Sequence, residues 1–246
     1  MKKVCLAITK GTWGVALNYV YELATRIPKS EYEVEVVIGV PGDLSEKLSD
    51  AGVECHTITE LQRDIAFGRD VRSFFDMLTY LRIRRPDILH LNSSKMAGIG
   101  ALAGRIAKVP KIVVTMHGVP FLESWRSLHG RFFIWLITYI SALLSHTTIT
   151  VSERDYRSMR NLPFLKTKVH LVPIGIESLV FAGREEARTR LSLPETGEFF
   201  LATTAELHVN KNLRQAVRAV ALYNQHAPKK IHYVILGDGE ERDRLE

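Results

Sequence analysis

Apolar positions along this chain alternate between short unbroken runs and stretches with helical spacing. Residues 4–9 form a short apolar run, and the breaker Lys10-Gly11-Thr12-Trp13-Gly14 follows. Residues 15–27 then carry Ala16, Val20, Leu23, Ala24 and Ile27, spaced for one face of a helix. Residues 34–40 are β-branched and close on the turn signal Pro41-Gly42. A short helix over 44–51 and a strand over 53–58 come next. Residues 71–84 predict an amphipathic helix stopped by Pro86, and 87–91 a strand. Residues 96–107 read as a helix whose Ala and Gly let it lie close on a sheet. Pro110 ends it before a buried strand over 112–115. Beyond the long apolar run 132–144 the pattern gives a strand over 147–151, a helix from Ser152 and a strand over 168–172.

Unbroken apolar strands separated by helices indicate a parallel sheet covered on both faces. The same alternation then restarts, with a strand over 199–204, a helix over 211–223 and a strand over 231–236 ending in Gly237-Asp238-Gly239. The expected fold is therefore α/β. It has a complete Rossmann-like first domain over residues 1–174 and the start of a second Rossmann-like domain over 175–246. The hinge is Pro173-Ile174-Gly175-Ile176-Glu177, and a ligand is expected between the domains. No internal repeat or low-complexity tract appears.

Composition narrows the class. An apolar fraction of 46% over 246 residues supports a full core. The net charge of +6 includes the clusters Arg82, Arg84, Arg85 and Arg154, Arg157, Arg160. These suit solvated helix faces, or else a bias toward an anionic ligand or a membrane surface. No nucleic-acid-binding motif is present, so nucleic acid is excluded as a partner. Cys5 and Cys55 lack CxxC spacing and read as buried, reduced thiols of a cytosolic protein. The N-terminus enters a strand pattern at once, with no signal-peptide core. The run 132–144 is shorter than the roughly 20 residues a membrane span needs. It reads as a buried helix, or as one lying in the membrane interface with Trp135 and Tyr139 at the headgroups and Arg126 and Arg131 just before it. The latter would bring peripheral contact with the inner face of the cytoplasmic membrane.

Ligands of parallel sheets bind beyond the carboxyl ends of the strands, which singles out residues 10–14, 92–95, 116–120, 152–153 and 173–177. The glycine loop ending at Gly14 leads into a helix, where exposed N–H groups and the helix dipole favour an anion. Tight-turn glycines explain the loop better when it is taken alone, and the spacing is not GxGxxG. Asn92, Ser93, Ser94 and Lys95 close a buried strand, as helix caps or as partners of sugar hydroxyls. His117, followed by Gly118 at a strand end, points toward a crevice and can hydrogen-bond a hydroxyl or stabilise developing charge. His90 sits one residue inside its strand and reads as packed, while His56 and His170 have no such context. No pair of histidines has metal-ligand spacing on one helix, so no metal is expected.

Taken in order, these segments resemble group 1 (family 4) glycosyltransferases of the GT-B fold, in the style of polysaccharide-biosynthesis enzymes. The resemblance rests on the glycine loop, residues 90–98, Thr115-Met116-His117-Gly118, residues 149–153, residues 173–177, Glu206-Leu207 with Lys211-Asn212, and Leu236-Gly237-Asp238-Gly239. It implies transfer of a sugar from a nucleotide-sugar co-substrate to a glycan or lipid-linked acceptor, with retention, without a metal and without another cofactor. Carried over, Gly14 approaches the donor phosphates, His117 the transferred sugar and Lys211 the diphosphate. Glu206, Gly237 and Gly239 fall in the donor-side segments, and Asn92, Ser93, Ser94 and Lys95 line the acceptor side. Two departures stand out. Glu206 occupies a place where arginine is usual, with His208 and Asn210 as neutral stand-ins, and Trp13 interrupts the usual paired glycines. The family's glutamate pair and final helix should follow the Gly-Asp-Gly segment, so the chain reads as truncated and as inactive by itself. The competing reading is a non-catalytic sugar- or partner-binding module. An epimerase or dehydrogenase of the GxxGxxG, Tyr-x-x-x-Lys type is disfavoured because both motifs are missing.

Overall fold

The computed structural model describes residues 1–9, 14–59, 67–122, 127–176, 180–193 and 199–246. Lys10 to Trp13, Arg126 and Glu177, named above, lie outside the described residues. The chain divides into two compact units, Met1–Gly175 and Ile176–Glu246.

The first unit alternates strand and helix: β1 (Lys2–Ile8), α1 (Val15–Arg26), β2 (Tyr32–Ile38), α2 (Asp43–Asp50), β3 (Glu54–Thr57), α3 (Phe67–Arg84), β4 (Ile88–Leu91), α4 (Ser94–Ile106), β5 (Lys111–Met116), α5 (Leu128–Leu144), β6 (Thr147–Thr150), α6 (Glu153–Arg160) and β7 (Val169–Leu171). The strands form one parallel sheet in the order β3-β2-β1-β4-β5-β6-β7. Because side chains alternate across a strand, the sheet feeds two cores. Leu6, Ile8, Val36 and Ile38 meet Leu17 and Val20 of α1 and Leu44 and Leu48 of α2. On the other face Ala7, Val37, Leu89 and Val114 meet Met77 and Leu81 of α3, Met96 of α4 and Met159 of α6. The small residues of α4 work as the sequence suggests. A Cβ at Gly100 would lie 2.5 Å from a Leu91 methyl, and one at Gly104 2.9 Å from a Leu89 methyl.

Helix α5 corrects the buried-helix reading of 132–144. It buries its small residues, Thr138, Ser141 and Ala142, and exposes Phe132, Phe133, Ile137 and Ile140. An all-apolar helix is ordinarily a core helix. Here close approach to α4 selects the narrow face: a Cβ added at Gly98 would lie 3.8 Å from Ser141 Oγ and 3.5 Å from a methyl of Ile137, which sits at the margin of the contact, and Phe132, Phe133 and Ile140 are left outside.

The second unit contains α7 (Arg184–Arg190), β8 (Phe199–Thr204), α8 (Leu213–His226), β9 (Ile231–Leu236) and α9 (Arg242–Leu245). β8 and β9 pair in parallel from Phe199↔Ile231 to Thr204↔Leu236. Lys211 is not helical in the way the 211–223 reading expects. It closes a 3-10 turn over Val209–Lys211, and Asn212, at φ 51°, turns the chain through the left-handed region before α8 begins. Asparagine tolerates that conformation where most residues do not. Helix α7 has no periodic signal, because its seven residues bury nothing and carry no apolar stripe.

Candidate functional site

Helices α1 and α2 pack on one face of the sheet and α4 to α6 on the other. The crossovers leaving β1 and β4 therefore diverge, and a crevice opens beyond their carboxyl ends. Thr9, just past β1, donates from its hydroxyl to Ser93 Oγ at 3.0 Å, joining the two strand ends. Ser93 Oγ also accepts from the Met96 backbone N–H and so caps α4. Asn92 is fully buried. Its backbone N–H donates to the Ala7 carbonyl at 2.8 Å and its Nδ2 to the His90 carbonyl at 3.0 Å. Its Oδ1 is closed to water and has no partner among the described residues.

His117 stands one residue beyond β5, on the α1 side of the sheet. Both ring nitrogens are shielded from water and lack partners among the described residues. The ring meets Tyr19 of α1 edge-on, with centroids 5.0 Å apart. Deeper in the same stack, His90 Nε2 lies 2.7 Å from Thr115 Oγ1, so His90 is packed and hydrogen-bonded. Burial lowers the pKa of His117 to about 4. Burial, and then the neighbouring His117, does the same for His90. Both rings are neutral at physiological pH. Gly118 has φ 142°, a backbone angle that favours glycine, so the turn after His117 is set by the residue that follows it.

The other first-unit candidates divide. Ser94 is exposed in the first turn of α4. Lys95 is held by Asp70 of α3, at 2.5 Å between Nζ and Oδ1, with both side chains largely covered. No sequence pattern points to Asp70, because it lies 25 positions upstream and only the packing of α3 on α4 joins the two. Gly14 caps α1 in an extended conformation, and a Cβ added there would meet nothing within 4 Å, so neither backbone angle nor a neighbour demands glycine.

In the second unit Lys211 and Glu206 are exposed, and Lys211 forms no ion pair among the described residues. The expected stand-in His208 is occupied: Nδ1 accepts from the Asn210 N–H at 3.2 Å, and Nε2 lies 3.3 Å from Glu240. Gly237 and Gly239 have a packing reason of their own. A Cβ at Gly237 would fall 1.8 Å from the Ala205 carbonyl oxygen. At Gly239, with φ 154°, one would fall 2.6 Å from that of Leu207. This closeness lets the Leu207 N–H donate to the Asp238 carbonyl at 2.8 Å, fixing the segment that carries Glu206. Arg242 braces the same turn through Asp238 and the Gly237 carbonyl.

One group among the described residues has the spacing of a metal site: Glu35, Glu54 and His56. The guanidinium of Arg84 already contacts both carboxylates, so the cation there is supplied by the chain.

A seven-stranded Rossmann-like unit followed by a second, smaller parallel α/β unit is the order found in the GT-B architecture. Covered in full, the chain matches Anabaena HepE in complex with UDP and glucose at a TM-score of 0.77 and 15% identity, spanning 64% of that chain. The same fold serves a UDP-N-acetylglucosamine 2-epimerase from Rickettsia bellii (TM-score 0.55, 16% identity, 99% of this chain and 63% of that one), so architecture alone does not choose the chemistry. The sequence profile of Glycosyltransferase Family 4 does choose. It matches residues 16–178, and the chain belongs to that family. It is also 24% identical over 220 residues to the Escherichia coli UDP-Gal:alpha-D-GlcNAc-diphosphoundecaprenol alpha-1,3-galactosyltransferase. That match covers 87% of this chain and 56% of the relative, so the chain spans little more than half the relative's length. Among the described residues no helix is long and apolar enough to cross a membrane.

Proposed function

We propose that this chain is part of a retaining, metal-independent glycosyltransferase that moves a sugar from a UDP-sugar to a lipid-linked or polysaccharide acceptor. The observation that carries the reading is the pair of His117 nitrogens without partners among the described residues, together with the Asn92 Oδ1, likewise without one, at the end of the adjacent strand. A buried polar atom without a partner costs about 1–3 kcal/mol, and clusters of them require a functional explanation. A neutral imidazole donates one hydrogen bond and accepts one; sugar hydroxyls can use both, whereas a phosphate oxygen can use only the donor. His117 therefore contacts the transferred sugar, and Asn92, Ser93 and Ser94 meet acceptor hydroxyls. Lys95 shares its charge between Asp70 and the acceptor side. Positive charge for the departing diphosphate comes from the α1 N-terminus at Gly14 and from Lys211. Gly237 and Gly239 shape the donor-side turn, and Glu206 adds no positive charge to it. The HepE complex with UDP and glucose and the E. coli relative's named UDP-Gal donor and diphosphoundecaprenol acceptor support this choice of substrates.

The test uses a polypeptide of the relatives' full length that carries this chain, incubated with labelled UDP-sugars and GlcNAc-diphosphoundecaprenol. Transfer that survives EDTA, retains the anomeric configuration and falls about a hundredfold or more in His117→Ala is expected. No transfer or donor hydrolysis across a broad donor panel, or wild-type rates in His117→Ala, would defeat the reading.

A further inference from the structure

The outward face of α5 is the least explained surface of the first unit. Its 17 residues contain one charged side chain, Arg131, whose Nε donates inward to the Phe121 carbonyl at 2.8 Å. Phe132, Trp135 and Tyr139 stack along one flank, with centroids 6.0 and 5.5 Å apart. Phe133, 61% exposed, and Ile140 form the outer ridge. Tyr139 donates to the Pro163 carbonyl at 3.2 Å and so ties the α6–β7 loop alongside, where Phe164 is 84% exposed. An apolar, aromatic surface of this extent marks an interaction site on a protein.

Charge identifies the occupant. Residues 67–175, which supply α3 to α6, hold sixteen Lys and Arg against six Asp and Glu. Residues 1–66 hold seven against ten, and residues 176–246 ten against eleven. The positive surplus is therefore concentrated in the half of the unit that bears α5. Arg160 at the end of α6 and Lys166 in the α6–β7 loop that Tyr139 ties to α5 are both exposed, while Arg157 is paired with Glu153 at 2.7 Å. A second copy would bring a like-charged half against this one, whereas an anionic lipid surface is attracted to it. At about 25 Å the helix is too short to cross a hydrocarbon core of about 30 Å and long enough to lie flat on one.

We infer that α5 and Phe164 dock the first unit on an anionic phospholipid surface. The crossover from β5 starts α5 at the carboxyl edge of the sheet, the edge that carries Asn92 and His117. Docking along α5 would hold the first unit at the bilayer, which rests on and narrows the proposed function: the acceptor is the lipid-linked one.

The experiment is flotation of the 246-residue chain with vesicles of phosphatidylglycerol and phosphatidylcholine, and with phosphatidylcholine alone, without donor or acceptor, so it reads docking independently of turnover. The chain is expected to float with the anionic vesicles and to be released by added salt. Phe132→Ser with Phe133→Ser should cut partitioning about tenfold or more. Leu222→Ser in α8, exposed in the second unit, should leave it unchanged, and Arg160→Ala with Lys166→Ala should lower the anionic preference. Far-UV circular dichroism checks that the variants fold. Failure to float, equal binding to neutral vesicles, or loss through Leu222→Ser alone overturns the inference. So does a solution dimer that the Phe132/Phe133 variant converts to monomer, which would assign the ridge to a second copy.

Discussion

Strands β1 and β5 of the first unit run between helices on both sides, and their central residues are closed to water. Strands β8 and β9 of the second have no buried residue: β9 alternates half-buried with exposed positions, and β8 is mostly exposed. All four are apolar parallel strands. They differ in the layers over them: α8 lines one face of β9, where Asn224 pairs with both backbone polar groups of Ile231, and α8 itself buries only Leu213. An apolar run thus reports what a strand is suited to bury, while its actual burial depends on how many neighbours cover it. The same holds for α5, whose composition promises a core that its packing does not deliver.

The comparison can be broken most sharply by truncating one leucine on each sheet. Leu89→Ala removes a side chain packed between α4 and the sheet and should cost about 2–5 kcal/mol in urea unfolding. Leu236→Ala, more than half exposed, should cost less than about 1 kcal/mol. Equal losses would mean that the second unit has a core as closed as the first.

Acid should separate the units next. His90 has its pKa lowered to about 4 by burial, so between the ordinary histidine range and pH 4 the unfolded chain holds more protons. Stability then falls with falling pH through that window, by about 3 kcal/mol for His90 alone. His117 adds loss in the same direction. His90→Gln should flatten the profile, and hydrogen exchange should place the loss in the first unit, which holds both buried rings.

How much of this could be read in advance follows the range of the interactions. The succession of strands and helices, the parallel sheet covered on both faces and the strand-end position of His117 follow from periodicity and crossover rules, which are local. Asp70 beside Lys95, the Arg84 bridge between Glu35 and Glu54, and the inverted burial of α5 depend on which helix face lands on which neighbour, and no spacing in the sequence encodes that. Gly237 illustrates a third case. The Gly-Asp-Gly motif suggests a ligand, and the structure supplies a backbone contact with Ala205 that needs glycine whether or not a ligand comes. Gly237→Ala should accordingly cost about 2 kcal/mol through displaced backbone, seen as lost amide protection at Ala205 and Leu207 and not at β1. Full protection in that variant would leave the ligand as the reason for glycine.

The smallest stability effects concern the two candidate-site lysines, which differ as their units do. Lys95 is largely covered and held by Asp70. Removing it leaves a partly desolvated carboxylate, so Lys95→Ala should cost about 1 kcal/mol and Asp70→Asn should recover part of that in the double variant. Lys211 is exposed and outside any ion pair among the described residues. Lys211→Ala should change stability by less than about 0.5 kcal/mol while cutting turnover of a full-length polypeptide about a hundredfold. A cation that the fold does not use, at the end of a turn forced by Asn212, is most simply kept for a ligand's charge. A Lys211→Ala enzyme with wild-type turnover would remove that role and leave the proposal resting on His117.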